Sequence, residues 1–274
     1  MKKTLVPSLT PQRYAETFAV FVEHSLEYPL MLDKLSSCTN EKLKQGFNIL
    51  DIGAGTGHML KEWMSRIDFK PSHYTAFEPN ESHFKDLAAS VTQLNIENTL
   101  YNSSFTADTA LPEKYDIVLF SHSLYWMPDP ALTMQHASKL ITENGIVLAF
   151  IGGPYGVHAM FPLFEPYIER TSPMLQNNAI SSHEVIIGLR QYGIEPEITL
   201  LPSPIDITGL FEVDARPQLA EFISFCMQIE FNSLPSWLQT DIIQYVHGGC
   251  VEQGDKLYWY LPTAAIIINA RNSQ

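Results

Sequence analysis

Three glycines stand directly behind an apolar run in Ile49-Leu50-Asp51-Ile52-Gly53-Ala54-Gly55-Thr56-Gly57. The G-x-G-x-G spacing makes a loop whose backbone N–H groups approach a ligand with no Cβ in the way, ahead of a helix N-terminus. A nucleoside is the kind of ligand such a loop admits. A second apolar run, Tyr74-Thr75-Ala76-Phe77, ends in Glu78, which lies 25 residues after Gly53. A carboxylate at the end of that strand accepts hydrogen bonds from ribose hydroxyls and repels a 2′-phosphate. The dinucleotide fingerprint places its third glycine one residue later, and no Gly-Lys-Ser/Thr follows to cradle phosphates.

His122, in Ser121-His122-Ser123-Leu124-Tyr125-Trp126, follows a further apolar run. Its ordinary pKa suits proton uptake near neutral pH, so it reads as a hydrogen-bond partner or general base, against the plainer reading of a satisfied histidine. Glu27 by position alone reads as a solvated carboxylate at the frayed end of a first helix that Pro29 ends or kinks. Tyr14, Phe18, Trp126 and Phe231 read equally well as core. The histidines lack metal-ligand spacing, so no metal is expected. No Ser-His-Asp order or nucleophile elbow supports hydrolysis.

These residues need a scaffold. Strands are expected at 47–52, 74–78, 99–102, 115–121, 145–151, 197–201 and 264–269, with helices at about 59–67, 81–93, 131–140 and 183–192 between them. Alternation of this kind predicts an α/β fold, a doubly wound, seven-stranded, mostly parallel sheet, with the last strands adding an antiparallel edge. Asn144-Gly145 reads as a turn before the fifth strand and Gly193 as a helix C-cap. Thr10-Pro11 starts a first helix, as N-cap and first helical residue.

The segments 152–181 and 207–253 break the alternation. They are expected to be helical lid insertions on a single domain spanning 1–274, with a cap at 1–40 and a cofactor-binding core at 45–151. Size allows one well-buried domain: the chain has 274 residues, 45% of them hydrophobic. A net charge of −13 argues against a nucleic-acid partner and favours, weakly, a small cationic ligand. No stretch approaches the ~20 apolar residues of a membrane span. The three cysteines, Cys38, Cys226 and Cys250, are unpaired in spacing and read as reduced thiols of a cytoplasmic protein.

With the glycine loop, Glu78 and Asp116-Ile117-Val118-Leu119 placed, the chain resembles a class I S-adenosylmethionine-dependent methyltransferase of Rossmann-like fold. It is similar in particular to the histamine N-methyltransferase family. That likeness is carried by Arg13-Tyr14-x-Glu16-x-Phe18-x-x-Phe21-x-x-His24-Ser25-x-Glu27, by Ser203-Pro204-Ile205-Asp206-Ile207, and by Glu221-Phe222 through Phe231-Asn232. The resemblance implies S-adenosylmethionine as cofactor, contacted by Gly53, Ala54, Gly55, Gly57, Glu78, Pro79, His83, Asp108 and Ser121. It implies an acceptor pocket of Tyr14, Phe18, Tyr125, Trp126 and Phe231, with Glu27 on the amine. His122 and Tyr260 stand where the family has the glutamine and asparagine that hold an imidazole.

The expectation is therefore a monomeric enzyme that methylates a small amine other than histamine, with His122 and Glu27 as its catalytic pair. An O-methyltransferase and a cofactor-binding module without turnover are the alternatives.

Overall fold

The computed structural model describes residues 2–42, 45–172 and 179–270. Residues 173–178 of the first expected insertion lie outside them. By contact pattern the chain divides into two compact units. One comprises 1–28, 152–180 and 202–263, the other 29–151, 181–201 and 264–274.

The second unit is built on a seven-stranded sheet. Its strands are β1 (Asn48–Ile52), β2 (His73–Phe77), β3 (Asn98–Tyr101), β4 (Tyr115–Ser121), β5 (Ile141–Gly152), β6 (Glu197–Leu201) and β7 (Thr263–Asn269), in the spatial order 3-2-1-4-5-7-6. Pairing is parallel from β3 through β5. The order reverses beside β1, and open α/β sheets bind ligands outside the carboxyl ends of their strands at such a point. Ile49, Leu50, Ile117, Val118 and Ile146 through Ile151 are essentially without exposed surface, as a sheet covered on both faces demands.

Local sequence explains the helices. Asn80 caps the helix Glu81–Leu94, its Oδ1 accepting from the N–H groups of Ser82 and His83 at 2.9 and 3.1 Å. Ser181 and Glu184 form a reciprocal capping box on the helix Ser182–Gln191. That helix stops as expected, with Gly193 at φ +77° just past its end.

Asn144-Gly145 is not a turn before β5. It lies inside the strand, where pairing with β4 slips between Tyr115↔Ile141 and Ile117↔Ile146. The extra residues bulge out, and a Cβ at Gly145 would lie 2.7 Å from the Tyr115 carbonyl oxygen, so only glycine fits.

The first unit gathers distant segments around its own core, including Leu219, Phe222, Ile223, Phe231, Leu238 and Trp259. The helix Pro11–His24 starts as expected, with the Thr10 hydroxyl accepting from the Arg13 N–H at 3.2 Å. Pro29 does not end it. The helix stops at Ser25, and a new helix, Glu27–Lys42, begins with Pro29 in its first turn, where the missing N–H costs nothing. The last expected strands, β7 and β6, stand at the edge of the main sheet. A separate three-stranded sheet pairs Lys256–Tyr260 antiparallel with Cys250–Gln253 on one side and with Pro204–Asp206 on the other.

Arg13 ties the first helix to the helix Arg216–Met227 and the turn after it. Its guanidinium donates to Glu16 at 2.9 Å, to both oxygens of Glu221 at 2.9 and 2.7 Å, and to Glu230 at 3.0 Å. The Glu230, Glu16 and Glu221 hydrogen bonds raise its pKa against a smaller lowering by desolvation. Arg13→Ala is expected to lower stability by about 1 kcal/mol, because three half-exposed carboxylates lose their shared cation. Urea unfolding at low and high salt checks this, with the loss shrinking as salt rises.

Candidate functional site

The sheet brings the residues around the glycine loop to the carboxyl ends of β1, β2 and β4. Gly53, Gly55 and Gly57 have φ of +74°, +58° and +78°, a left-handed conformation that a side chain would strain. The loop folds back on β2: the N–H groups of Gly53 and Ala54 donate to the Phe77 carbonyl oxygen at 2.8 and 3.2 Å. Gly57, buried, opens the helix His58–Met64.

Gly53 has no room for more. A Cβ there would lie 2.4 Å from Ser123 Cβ, whose hydroxyl donates to the Ile52 carbonyl oxygen at 2.5 Å. At Gly55 a Cβ would meet nothing within 4 Å. Packing requires the first glycine, whereas at the second only the left-handed φ favours one.

Glu78 is 6% exposed at the end of β2. Its Oε2 accepts from the Gly55 N–H and its Oε1 from the Asn80 N–H, both at 2.8 Å. A carboxylate has about four acceptor sites, so two remain for ribose hydroxyls. Pro79 and His83 follow it, both exposed, His83 in the first turn of its helix. Asp108 is exposed in the loop after β3, its N–H donating to Thr106 Oγ1 at 3.3 Å.

Ser121 ends β4. His122 takes φ +53°, uncommon for a residue with a side chain, and donates its N–H to the Phe150 carbonyl oxygen at 3.1 Å. Its ring stacks on Tyr125 at 6.1 Å and 5°. Trp126, beside it in a short 3-10 turn, is 46% exposed.

The sequence reading missed Asp51. It lies one strand position before the loop, 2% exposed, its Oδ2 accepting from the Tyr74 hydroxyl at 2.8 Å and its Oδ1 with no hydrogen-bond partner. Desolvation pushes its pKa up to about 7, the Tyr74 bond opposes that, and the Glu78 charge adds to it. An acid at the end of an apolar strand is the signal that could have found it.

The remaining residues belong to the first unit. Tyr14 and Phe18 stack at 6.3 Å and 11°, and both meet the ring of Phe225, at 5.5 and 5.2 Å, with Phe21 against it at 4.7 Å. Phe225, not singled out by sequence, completes this aromatic wall. Phe231 is elsewhere, 3% exposed within that unit's core. Glu27 opens the second helix, its Oε1 accepting from the Thr263 hydroxyl. Tyr260 ends the last strand of the small sheet, its hydroxyl accepting from Gln253 at 2.7 Å.

No helix among the described residues is long and apolar enough to cross a membrane. Among them no group of three His, Cys, Asp or Glu side chains could hold a metal ion.

Residues 22–150 match the family described as a methyltransferase domain. Carnosine N-methyltransferase 2 of Gallus gallus is 22% identical over 241 residues, covering 80% of this chain and 73% of that protein. Two solved structures share the fold. A candidate methyltransferase of Bacillus halodurans superposes with TM-score 0.53 at 15% identity, over 87% of this chain and 99% of the other. The candidate methyltransferase of Haloferax volcanii, solved with the Trm112 methyltransferase activator, gives TM-score 0.53 at 13% identity over 96% and 99%. The chain thus has a Rossmann-like α/β methyltransferase fold, with residues 22–150 matching a methyltransferase domain. S-adenosylmethionine is the cofactor expected from the sequence. The open space at Gly55 and the buried acid at Glu78 fit an adenosyl group.

Two outcomes follow from this geometry. Gly53→Ala is expected to cost about 1–3 kcal/mol through overpacking against Ser123. Gly55→Ala is expected to cost only the roughly 1–2 kcal/mol of a left-handed residue while weakening S-adenosylhomocysteine binding. Thermal unfolding and calorimetry of the two variants separate these effects. For Asp51, a native pKa near 7 against the ordinary 3.8 means that the folded chain binds the extra proton between those values. Its contribution to stability is complete below about pH 4 and lost as pH rises to about 7. Asp51→Asn should flatten the stability–pH curve in that window, as read by urea unfolding at several pH values.

Proposed function

We propose that this methyltransferase domain transfers a methyl group to the nitrogen of a small amine other than histamine. The observation that carries the reading is Glu27, a half-buried carboxylate in the same unit as the Tyr14, Phe18 and Phe225 rings. A carboxylate suits an ammonium through charge-assisted hydrogen bonds, and aromatic faces attract the same cation. The name of the Gallus gallus relative supports N-methylation as the reaction class.

S-adenosylmethionine supplies an electrophilic methyl on a sulfonium. The chain's residues then have three tasks. The glycine loop and Glu78 hold the adenosyl part, Glu27 holds a charged nitrogen of the acceptor, and His122 takes the proton lost by the nitrogen that is methylated. An apolar aromatic surround favours the neutral, nucleophilic form of that nitrogen by disfavouring its charge. His122 is held in an uncommon backbone conformation, as residues at functional positions often are. Positioning of this kind supplies on the order of 7–11 kcal/mol of a bimolecular barrier.

His122 and Tyr260 argue against histamine. A site that expects amide partners loses specificity when an imidazole and a phenol replace them, since reach and hydrogen-bond roles both change. Tyr260 is moreover engaged with Gln253.

The test is S-adenosylhomocysteine formation over a panel of histamine, carnosine, tryptamine and phenethylamine. Turnover is expected with an amine other than histamine at a higher kcat/KM. Glu27→Gln should raise KM for that amine about tenfold, the worth of one hydrogen bond to a charged group, without changing cofactor affinity. Turnover of neutral phenols in place of every amine overturns the reading.

A further inference from the structure

We infer that Thr263 is a positioning residue, whose hydroxyl sets the carboxylate of Glu27 for the acceptor; the inference rests on the reading of Glu27 as the amine contact. Thr263 begins β7 and is 1% exposed. Its Oγ1 donates to Glu27 Oε1 across 236 residues of sequence. A buried hydroxyl hydrogen needs an acceptor, and a β-branched side chain has few ways to turn. The donor is thus a nearly fixed point against which a flexible glutamate is aimed.

The backbone on both sides of the bond is tied to one short stretch. Ser25 pairs with Ile205 in an isolated bridge, and the Leu26 N–H donates to the Pro204 carbonyl oxygen at 3.0 Å. The Leu261 N–H donates to the Ser203 carbonyl oxygen at 3.1 Å, and Pro262 accepts from the Gly153 N–H at 2.6 Å. Residues 203–205 therefore set the approach to Glu27 and the approach to Thr263 together. The Glu27 N–H, in turn, donates to Ser25 Oγ at 3.3 Å.

A second observation locates the glutamate charge. Burial, and then the charge of Glu27, raise the pKa of Tyr28, and burial and then Tyr28 push the Tyr14 phenol up to about 12. Glu27, Tyr28 and Tyr14 are electrically within reach of one another, which relates the carboxylate to the aromatic wall. Preorganisation of this kind spares the acceptor the entropy of ordering a glutamate side chain on binding.

The competing explanation is structural. Glu27 stands in the first turn of its helix, where exposed N–H groups favour a carboxylate, and Thr263 could serve only to satisfy it. A double-mutant cycle over Glu27→Gln and Thr263→Val, with Thr263→Ser as the conservative control, separates the two. The probe is whichever amine of the panel above has the highest kcat/KM. Thr263→Val is expected to raise KM about tenfold with kcat within about twofold of the parent. Thr263→Ser should restore the parent KM. The double variant should be no worse than Glu27→Gln alone, since a residue acting through another adds nothing once that partner is disabled.

S-adenosylhomocysteine affinity, measured by calorimetry, should stay unchanged in all variants, which also establishes that they are folded. A parent-like KM in Thr263→Val, or additive losses in the double variant, overturns the inference and leaves the reading of Glu27 intact. A parent-like KM in Glu27→Gln overturns that reading and the inference with it, as does absence of turnover with every amine.

Discussion

The approach of Ser123 to Gly53 is the constraint on which the glycine-loop end of this protein is organised. Two parallel neighbours, β1 and β4, finish side by side, and the chain leaving each must turn without colliding with the other. Removing the side chain at Gly53 lets Ser123 fill that space, and the Ser123 hydroxyl closes on the Ile52 carbonyl at the strand's end. From this one contact the loop leaves β1 in a left-handed conformation. His122, immediately before Ser123, is drawn into its own left-handed conformation on the other side. The glycine loop and the histidine thus flank one close contact.

Electrostatics at the strand ends has an equally local origin. Glu78 is tolerated in a buried position because two backbone N–H groups donate to it, one of them from the glycine loop. Asp51 has only the Tyr74 hydroxyl and one oxygen without a partner, so desolvation dominates and its proton is held toward neutrality.

The first unit solves a different problem. Three stretches far apart in sequence build one apolar core, and no glycine motif or strand alternation announces it. Its order depends on cross-ties: Arg13 to three glutamates, the Phe225 ring against three aromatics of the first helix, and residues 203–205 pairing with the chain near Ser25 and near Leu261. The aromatic residues divide accordingly. Phe18 keeps an exposed ring and Tyr14 a partly buried one in the wall, whereas Phe231 is consumed by the core.

What sequence determined by itself is whatever depends on short-range chemistry. Apolar runs of five to seven residues specified β1, β2 and β4, with glycine or an acid closing the first two, and Thr10-Pro11 announced its helix by the orphan N–H groups it caps. The G-x-G-x-G spacing and Glu78 pointed to a nucleoside because backbone access and a ribose acceptor are properties of a few consecutive residues. Tertiary structure decided what depends on partners distant along the chain. Pro29 reads as a stop, yet it sits in the first turn of a new helix, because Ser25 and Leu26 are held by residues 204 and 205. Asn144-Gly145 reads as a turn, yet β5 absorbs it as a bulge opposite β4. Ser123, Phe225 and Thr263 carry no local signature, since a 2.4 Å conflict, a ring contact and a hydrogen bond across 236 residues exist only once the chain has folded.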